Sequence, residues 1–328
     1  MPIKYFDMFA GIGGFRSGLE AIGGFECVGY CEIDKYAKQA YEAMYDTGGE
    51  LYFDDARKIV PEQLPDFDLL VGGFPCQSFS IAGARKGFDD TRGTLFFEIA
   101  RIASVKKPKY LYLENVSGLL NHDSGKTFET ILRTLDGLGY NVCWQVLIIK
   151  NFGLLIKAKT KDGYQVAYPG DSIDTAFSGQ NSRRGRVGNQ VAHTLTTSAT
   201  QAYYFIDLNP DPKLTEIARC ITARQDSGIS NRKAEHSGVF VENSDVLDDN
   251  EKFAVAFVEP NGEVHIGRIR KLTPRECWKL QGFTDDQFDK AKATGLSDSR
   301  LYKMAGNAVT VNVISAIGEI IKKVDSKN

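Results

Sequence analysis

The first 150 residues alternate short apolar runs with stretches whose apolar positions recur every three or four residues. That rhythm predicts a mainly parallel sheet wrapped by helices, because parallel strands are buried on both faces and each needs a helical crossover. Strands are expected at Ile3 to Phe6, Cys27 to Cys31, Leu51 to Phe53, Leu69 to Val71, Tyr110 to Leu113 and Cys143 to Ile149. Phe128, Ile131, Leu132, Leu135 and Leu138 fall at helical spacing, and Gly139 is placed to stop that helix. Val313, Ile314, Ile317, Ile320, Ile321 and Val324 make one stripe on a carboxyl-terminal helix, expected to face the core.

From about Leu154 the pattern changes. Gly, Asp, Ser, Asn and Thr become frequent, strands shorten, and helical periodicity is lost until Thr273. A second, loop- and strand-rich domain is expected over residues 154–269, inserted between a first part at 1–153 and a return segment at 270–328. It carries Arg183, Arg184, Arg186, Arg219, Arg224 and Arg232 among Ser, Thr, Asn and Gln, a mixture suited to phosphate and base-edge contacts.

Composition narrows the classes. With 328 residues and a formal charge of −2, any surface for a polyanion must be local. The six cysteines form no Cys-x-x-Cys pair and there are only four histidines, so no zinc cluster and no metal is expected. No apolar stretch is read as a membrane span and no signal peptide is read at the amino terminus, so a cytoplasmic, membrane-free protein is expected.

Three segments carry the chemistry. Asp7-Met8-Phe9-Ala10-Gly11-Ile12-Gly13-Gly14-Phe15 follows a strand and opens a helix; Gly72-Gly73-Phe74-Pro75-Cys76-Gln77-Ser78-Phe79-Ser80 sets a cysteine in a polar turn after a strand; Tyr110 to Leu113 ends in Glu114-Asn115-Val116. With Leu272-Thr273-Pro274-Arg275-Glu276 and Gly306-Asn307-Ala308-Val309 after them, the chain resembles the bacterial and phage-type DNA cytosine 5-methyltransferases, over residues 3 to 320. The resemblance implies a Rossmann-like, S-adenosylmethionine-dependent methyltransferase fold, α/β with a mostly parallel twisted sheet and helices on both faces, plus a smaller target-recognition domain.

The chemistry asks for these residue types. A thiolate adding at carbon 6 of cytosine breaks the aromaticity and makes carbon 5 nucleophilic. Cys76 is the expected nucleophile, and Glu114, at a buried strand end that raises its pKa, is the expected acid at ring nitrogen 3, supported by Asn115. A glycine turn at a helix amino terminus favours a ligand's carboxylate. The resemblance thus assigns Asp7, Phe9, Gly11, Gly13, Gly14, Glu32, Ile33, Asp55, Pro75, Asn307 and Val309 to the donor, S-adenosylmethionine, whose product is S-adenosylhomocysteine. Glu32 would take the ribose hydroxyls, Ile33 and Phe9 the adenine faces, and Asp55 or its neighbour Asp54 the adenine amine. The target atom is inaccessible in a stacked duplex, so the base must be flipped out. Ser78 and Arg85 on the loop after the nucleophile, together with Arg183, Thr194, Arg224 and Arg275, are expected at duplex DNA; Thr194-Leu195 resembles a recurring pair of the recognition domain.

The family continues Asn-Phe-Gly with Gln-x-Arg-x-Arg and another apolar strand, whereas Asn151-Phe152-Gly153 here leads into Leu154-Leu155-Ile156-Lys157. Arg184 and Arg186 have the required spacing but lie about thirty residues late, so they either substitute for the missing pair or contact phosphate. Three readings follow: a DNA cytosine 5-methyltransferase acting as a monomer; a homologue impaired or dependent on a complementing chain; and an RNA-directed relative. A companion restriction endonuclease is the expected partner of the first.

Overall fold

The computed structural model describes residues 1–75, 95–147 and 271–327, with the backbone of nine strands between residues 154 and 271. In chain order the elements are β1 (Ile3–Met8), α1 (Gly14–Ile22), β2 (Phe25–Cys31), α2 (Lys35–Met44), β3 (Leu51–Phe53), β4 (Leu69–Gly73), α3 (Leu95–Lys106), β5 (Tyr110–Glu114) and α4 (Lys126–Gly137). Then come β6 (Leu154–Lys157), β7 (Tyr164–Ala167), β8 (Ser172–Asp174), β9 (Arg186–Gly188), β10 (Phe205–Asp207), β11 (Leu214–Thr215), β12 (Ser237–Glu242), β13 (Val255–Val258) and β14 (Val264–Lys271). Four helices close the chain: α5 (Pro274–Leu280), α6 (Asp285–Ala293), α7 (Asp298–Asn307) and α8 (Val311–Asp325).

Two compact units are distinguished. The first combines Met1–Leu147, Gln281–Arg300 and Asn307–Asn328; the second combines Ile148–Leu280 and Leu301–Gly306.

The first unit is built on a parallel sheet in the order β3-β2-β1-β4-β5. Successive side chains of a strand point to opposite faces. Accordingly Ile3, Tyr5, Leu69 and Val71 join Phe15 and Leu19 of α1 and Ile314 of α8 in one core, while Phe6, Met8 and Leu70 join Phe96, Ile99 and Ile102 of α3 and Ile131 and Leu135 of α4 in another. Helices therefore cover both faces, which is why these strands read as near-continuous apolar runs. Gly139, at φ +88°, follows α4 where the sequence places the stop.

Helix α8 departs from its expected stripe. Val311, Ile314 and Gly318 are buried, whereas Ile320 and Val324 are 59% and 43% exposed. The cause is a close seam with α1: a Cβ on Gly18 would lie 2.6 Å from Ile314 Cβ, and one on Gly318 2.7 Å from Ile22 Cδ1. The small residues, more than the large ones, set the helix's rotation, and Ser315 Oγ donates to the Gly18 carbonyl at 3.0 Å across the seam. The stretch Asp298–Asp325 is long and apolar enough to cross a membrane by length and composition alone. In the fold it is divided into α7 and α8, with the buried face of α8 against α1.

The sixth expected strand is also corrected. Residues 143–147 form no ladder; Trp144 and Val146 are largely exposed, although the Trp144 ring meets Phe128 of α4 edge-on at 5.1 Å. Alternation alone does not make a strand without a neighbour to complete its hydrogen bonds. Among the described residues β5 ends the sheet, and β6, which follows Asn151-Phe152-Gly153, pairs antiparallel with β7, Leu154 opposite Ala167.

The second unit holds β6–β7 and β8–β9 as two-stranded sheets and an antiparallel sheet in the order β11-β10-β12-β14-β13. Helix α5 starts as its sequence predicts. Thr273 Oγ1 accepts from the Glu276 amide at 3.2 Å while Glu276 accepts from the Thr273 amide at 2.8 Å, a reciprocal cap, with Pro274 at the first position. Trp278 is fully buried and its Nε1 donates to the Leu301 carbonyl at 2.9 Å.

Candidate active site

The order of the sheet fixes where chemistry can occur. β1 and β4 are neighbours, with Met8 opposite Gly72, and the chain leaves them toward opposite sides of the sheet. In open α/β sheets the crevice outside such a reversal, at the carboxyl ends of the strands, is where ligands bind. The glycine turn follows β1 and Phe74-Pro75 follows β4, so both segments start from that point. Glu32 follows β2, Asp55 follows β3 and Glu114 ends β5, all at the same end of the sheet.

The glycine turn is held in a conformation few residues adopt. Phe9, Gly11 and Gly13 have φ of +59°, +57° and +78°. For Phe9 this is costly backbone that the surroundings must enforce. The Ala10 amide donates to the Cys31 carbonyl at 2.9 Å, and the Gly13 amide donates to the Ala10 carbonyl at 2.7 Å. Gly13 caps α1 without any side-chain hydrogen bond. At Gly14 a Cβ would stand 2.6 Å from Val309 Cγ2, so Val309 occupies the place a side chain would fill.

Glu32 ties the turn to the second strand. Its Oε2 accepts from the Gly11 amide at 2.7 Å and its Oε1 from the Asp34 amide at 2.6 Å. Burial pushes its pKa up and these amides pull it back. Each oxygen retains a second lone pair for a ligand hydroxyl. Ile33, next in sequence, is 71% exposed, an apolar surface beside that carboxylate. Asp34 then caps α2 by accepting from the Tyr36 amide at 3.0 Å. Asp55 is fixed by the Arg57 amide at 3.0 Å and the Arg57 guanidinium at 2.7 Å, while Asp54 pairs with Lys58 at 2.7 Å.

On the other side of the reversal, Glu114 lies opposite Gly73 in the β4–β5 ladder, and a Cβ on Gly73 would come 3.1 Å from its Oε2. Burial raises the Glu114 pKa, the direction an acid catalyst needs. Asn115 Nδ2 donates to the Phe74 carbonyl at 2.7 Å and its Oδ1 accepts from the Val116 amide at 2.9 Å. The segment entering Pro75, which is exposed, is thereby pinned to the end of β5.

Other expected site residues are distributed differently. Asp7 is fully buried and neither carboxylate oxygen is exposed, because the alternation of β1 turns its side chain inward with Tyr5 beneath α1, so that side chain presents no oxygen to a donor. Burial raises its pKa well above the ordinary carboxylate value, partly opposed by Arg16. Asn307 is exposed at the end of α7 and Arg275 is half-buried in the first turn of α5. Arg186 begins β9, opposite Asp174. Cys76, Ser78, Arg85, Arg183, Arg184, Thr194 and Arg224 lie outside the described residues. Motif reading passed over Ser17, Tyr45 and Gln287, whose hydrogen bonds end on the glycine turn; only the Thr284-x-x-Gln287 helix-start pattern signals one of them.

The comparisons agree with this geometry. The chain is 37% identical to "Type II methyltransferase M.NlaX" of Neisseria lactamica over 97% of its own length and 96% of the relative's. It is 34% identical to "Type II methyltransferase M.HhaI" of Haemophilus parahaemolyticus, covering 96% and 93%, and 31% identical to "Orphan methyltransferase M.SPRI" of Bacillus phage SPR, covering 96% of each. The solved S. pombe Dnmt2 methyltransferase shares the fold at a TM-score of 0.59, with 17% identity and 99% of each chain covered. The family description "C-5 cytosine-specific DNA methylase" matches residues 3–155 and 171–323, interrupted just after Asn151-Phe152-Gly153. The chain belongs to the C-5 cytosine-specific DNA methylase family.

Proposed function

We propose that the parts at 1–153 and 270–328 carry out methyl transfer and that 154–269 reads the DNA site. The reaction of the family is methylation of cytosine at carbon 5 in DNA, through a covalent intermediate. The observation that carries the assignment of roles is the adjacency of β1 and β4, which starts the glycine turn and the segment leading to Pro75 from neighbouring strands with Glu114 next to them.

S-adenosylmethionine, the donor of the family, supplies an activated methyl group. The residues present suit it: the first turn of α1 has no side-chain cap and faces a carboxylate well, Glu32 has lone pairs left for two hydroxyls, and Ile33 offers an apolar face to a ring. Cys76 adds as thiolate to carbon 6 of the flipped base, forming the sulfur–carbon bond as electrons move toward ring nitrogen 3. Glu114 delivers a proton there. After carbon 5 has taken the donor's methyl group, a base removes the carbon 5 proton, the sulfur–carbon bond breaks to return the Cys76 thiolate, and the proton on ring nitrogen 3 goes back to Glu114, which restores the aromatic base and the acid. Arg183, Thr194, Arg224 and Arg275, with Ser78 and Arg85, are proposed at DNA. No metal takes part in this reading. The type II names of the relatives support the modification half of a restriction system, and a cytoplasmic place of work and a companion endonuclease are proposed with it.

A second reading is favoured by one observation: β6, which follows Asn151-Phe152-Gly153 where the family continues with Gln-x-Arg-x-Arg and an apolar strand, pairs with β7, and among the described residues β5 ends the parallel sheet. On that reading turnover is weak or needs a complementing chain. Incubating the chain with donor and a random-sequence duplex pool, then mapping 5-methylcytosine at base resolution, tests both; tRNA in a parallel arm tests the RNA-directed alternative. Methylation at a fixed duplex sequence supports the first reading, and its loss in Cys76→Ala assigns the nucleophile. No methylation by the chain alone supports the second.

A further inference from the structure

A hydrogen-bonded chain that no motif announces ends on the donor turn. Gln287 Nε2 donates to Ser17 Oγ at 2.7 Å; the two hydroxyls of Ser17 and Tyr45 are 2.5 Å apart; Tyr45 Oη donates to the Gly13 carbonyl at 2.9 Å and to the Ile12 carbonyl at 3.2 Å. The carbonyls fix the direction of this chain. They can only accept, so with the Tyr45 proton shared between them Ser17 donates to Tyr45 and accepts from Gln287 Nε2, which also lies 3.5 Å from Tyr45 Oη. The other end of Gln287 is fixed as well, since its Oε1 accepts from the Thr284 amide at 2.9 Å in the cap of α6.

The site of action is the glycine turn itself. Tyr45 is buried directly beneath it: a Cβ on Gly13 would lie 2.5 Å from Tyr45 Cε2. Arg16 covers the Tyr45 ring with its guanidinium carbon 4.8 Å from the centroid. The Gly13 carbonyl also accepts the first helical bond of α1, from the Ser17 amide at 2.8 Å. Glu32 holds the same turn through the Gly11 amide. A carboxylate thus fixes an N–H of the turn and a phenol fixes two of its carbonyls, leaving its strained φ angles little freedom.

We propose that Tyr45 is a positioning residue for donor binding, and that Ser17 and Gln287 orient its hydroxyl. The inference rests on the glycine turn being the S-adenosylmethionine site. A turn held in its bound shape before the ligand arrives does not have to be ordered on binding, so affinity depends on the clamp although Tyr45 need not touch the donor. Gln287 is specifically required as an amide: a glutamate would still cap α6 but has no proton to give Ser17.

The test is calorimetric titration of the full-length chain with S-adenosylmethionine and S-adenosylhomocysteine. Tyr45→Phe keeps the buried ring and removes only the hydroxyl; Gln287→Glu keeps the helix cap. Both variants are expected to bind donor and product about five- to tenfold more weakly, at a stoichiometry near one and with DNA affinity unchanged, the magnitude of about one lost hydrogen bond. A purely structural role would lower the melting temperature or the bound fraction and leave the dissociation constant alone. Dissociation constants within twofold of wild type in both variants would overturn the proposal. If the wild type itself bound no donor, the assignment of the turn would fall and this inference with it; wild-type binding with unchanged variants removes the inference alone. Should Tyr45→Phe fail to fold, Gln287→Glu decides.

Discussion

Asn115 spans two strand ends: its Nδ2 donates to the carbonyl oxygen of Phe74, two residues before Cys76. Replacing it with alanine leaves that carbonyl without this partner and frees the approach to Pro75. Since one hydrogen bond is worth about 0.5 to 1.5 kcal/mol and misplacement of a nucleophile adds to that, single-turnover methylation by Asn115→Ala should fall about tenfold or more, with donor affinity unchanged. A rate within twofold of wild type in rapid-quench experiments would show that the Phe74 contact does not orient the loop.

Glu114→Gln keeps the shape of the β5 end but cannot transfer a proton, and general acids contribute about 10²- to 10⁴-fold. The raised pKa of Glu114 adds a second readout. In the wild type the protonated acid is lost as pH rises through that raised value, giving the rate profile a descending limb; the variant should be slower throughout and lack this limb. Profiles of the same shape would remove Glu114 from the chemical step.

Glu32→Ala should weaken S-adenosylmethionine binding by at least tenfold, through lost bonds to the ligand and a released Gly11 amide. Calorimetry separates this from any effect on DNA. An unchanged dissociation constant would place Glu32 in the scaffold only.

Asp7 makes a statement about stability with a definite sign. Its folded pKa is raised well above the ordinary 3.8 by burial, with neither oxygen hydrogen-bonded among the described residues. A raised folded pKa means that its contribution is fully present below about the ordinary carboxylate value and is lost as pH rises toward and through the folded one. Glu32 and Glu114 are shifted the same way, so the wild-type slope is a sum. Asp7→Asn removes only one part of it, and the melting temperature of Asp7→Asn minus that of the wild type should grow as pH is raised from about 4 to 8. A difference independent of pH would mean that Asp7 titrates normally.

What could be read in advance follows from locality. The β1 to β5 runs, the stop at Gly139 and the Thr273-Pro274 start of α5 are set by neighbours in sequence, through alternation, helix period and capping. The order of strands, and with it the meeting of the two turns at β1 and β4, depends on crossovers that periodicity does not encode. The same holds for α8, whose buried face is chosen by Gly18 of a helix nearly three hundred residues earlier, and for Trp144, apolar and alternating yet without a ladder partner. In the site, Glu32, Ile33, Glu114 and Asn115 sit where motif and strand end coincide. Tyr45 is invisible to that reading because its role lies in a hydroxyl reaching a turn across thirty residues.

Arg186 decides how the chain manages without Gln-x-Arg-x-Arg. It begins β9, pairing with Asp174 of β8 in the second unit, and the family match is interrupted where the missing motif would stand. An arginine that contacts the carbonyl oxygen of the flipped cytosine acts on developing charge, so Arg186→Ala would depress the single-turnover rate at saturating DNA and leave the salt dependence of binding nearly unchanged. An arginine on phosphate releases a counterion instead: binding then weakens for all sequences, and the slope of log affinity against log salt falls by about one. The expected outcome is the second, because β6 and β7 pair with each other and, among the described residues, the parallel sheet has no strand after β5 to carry a relocated motif. Wild-type turnover should correspondingly be weak until a strand bearing the motif is supplied, for example by a second methyltransferase of this family disabled at its own nucleophile. Robust methylation by the chain alone, joined to a purely kinetic defect in Arg186→Ala, would overturn this and make Arg184 and Arg186 the catalytic pair.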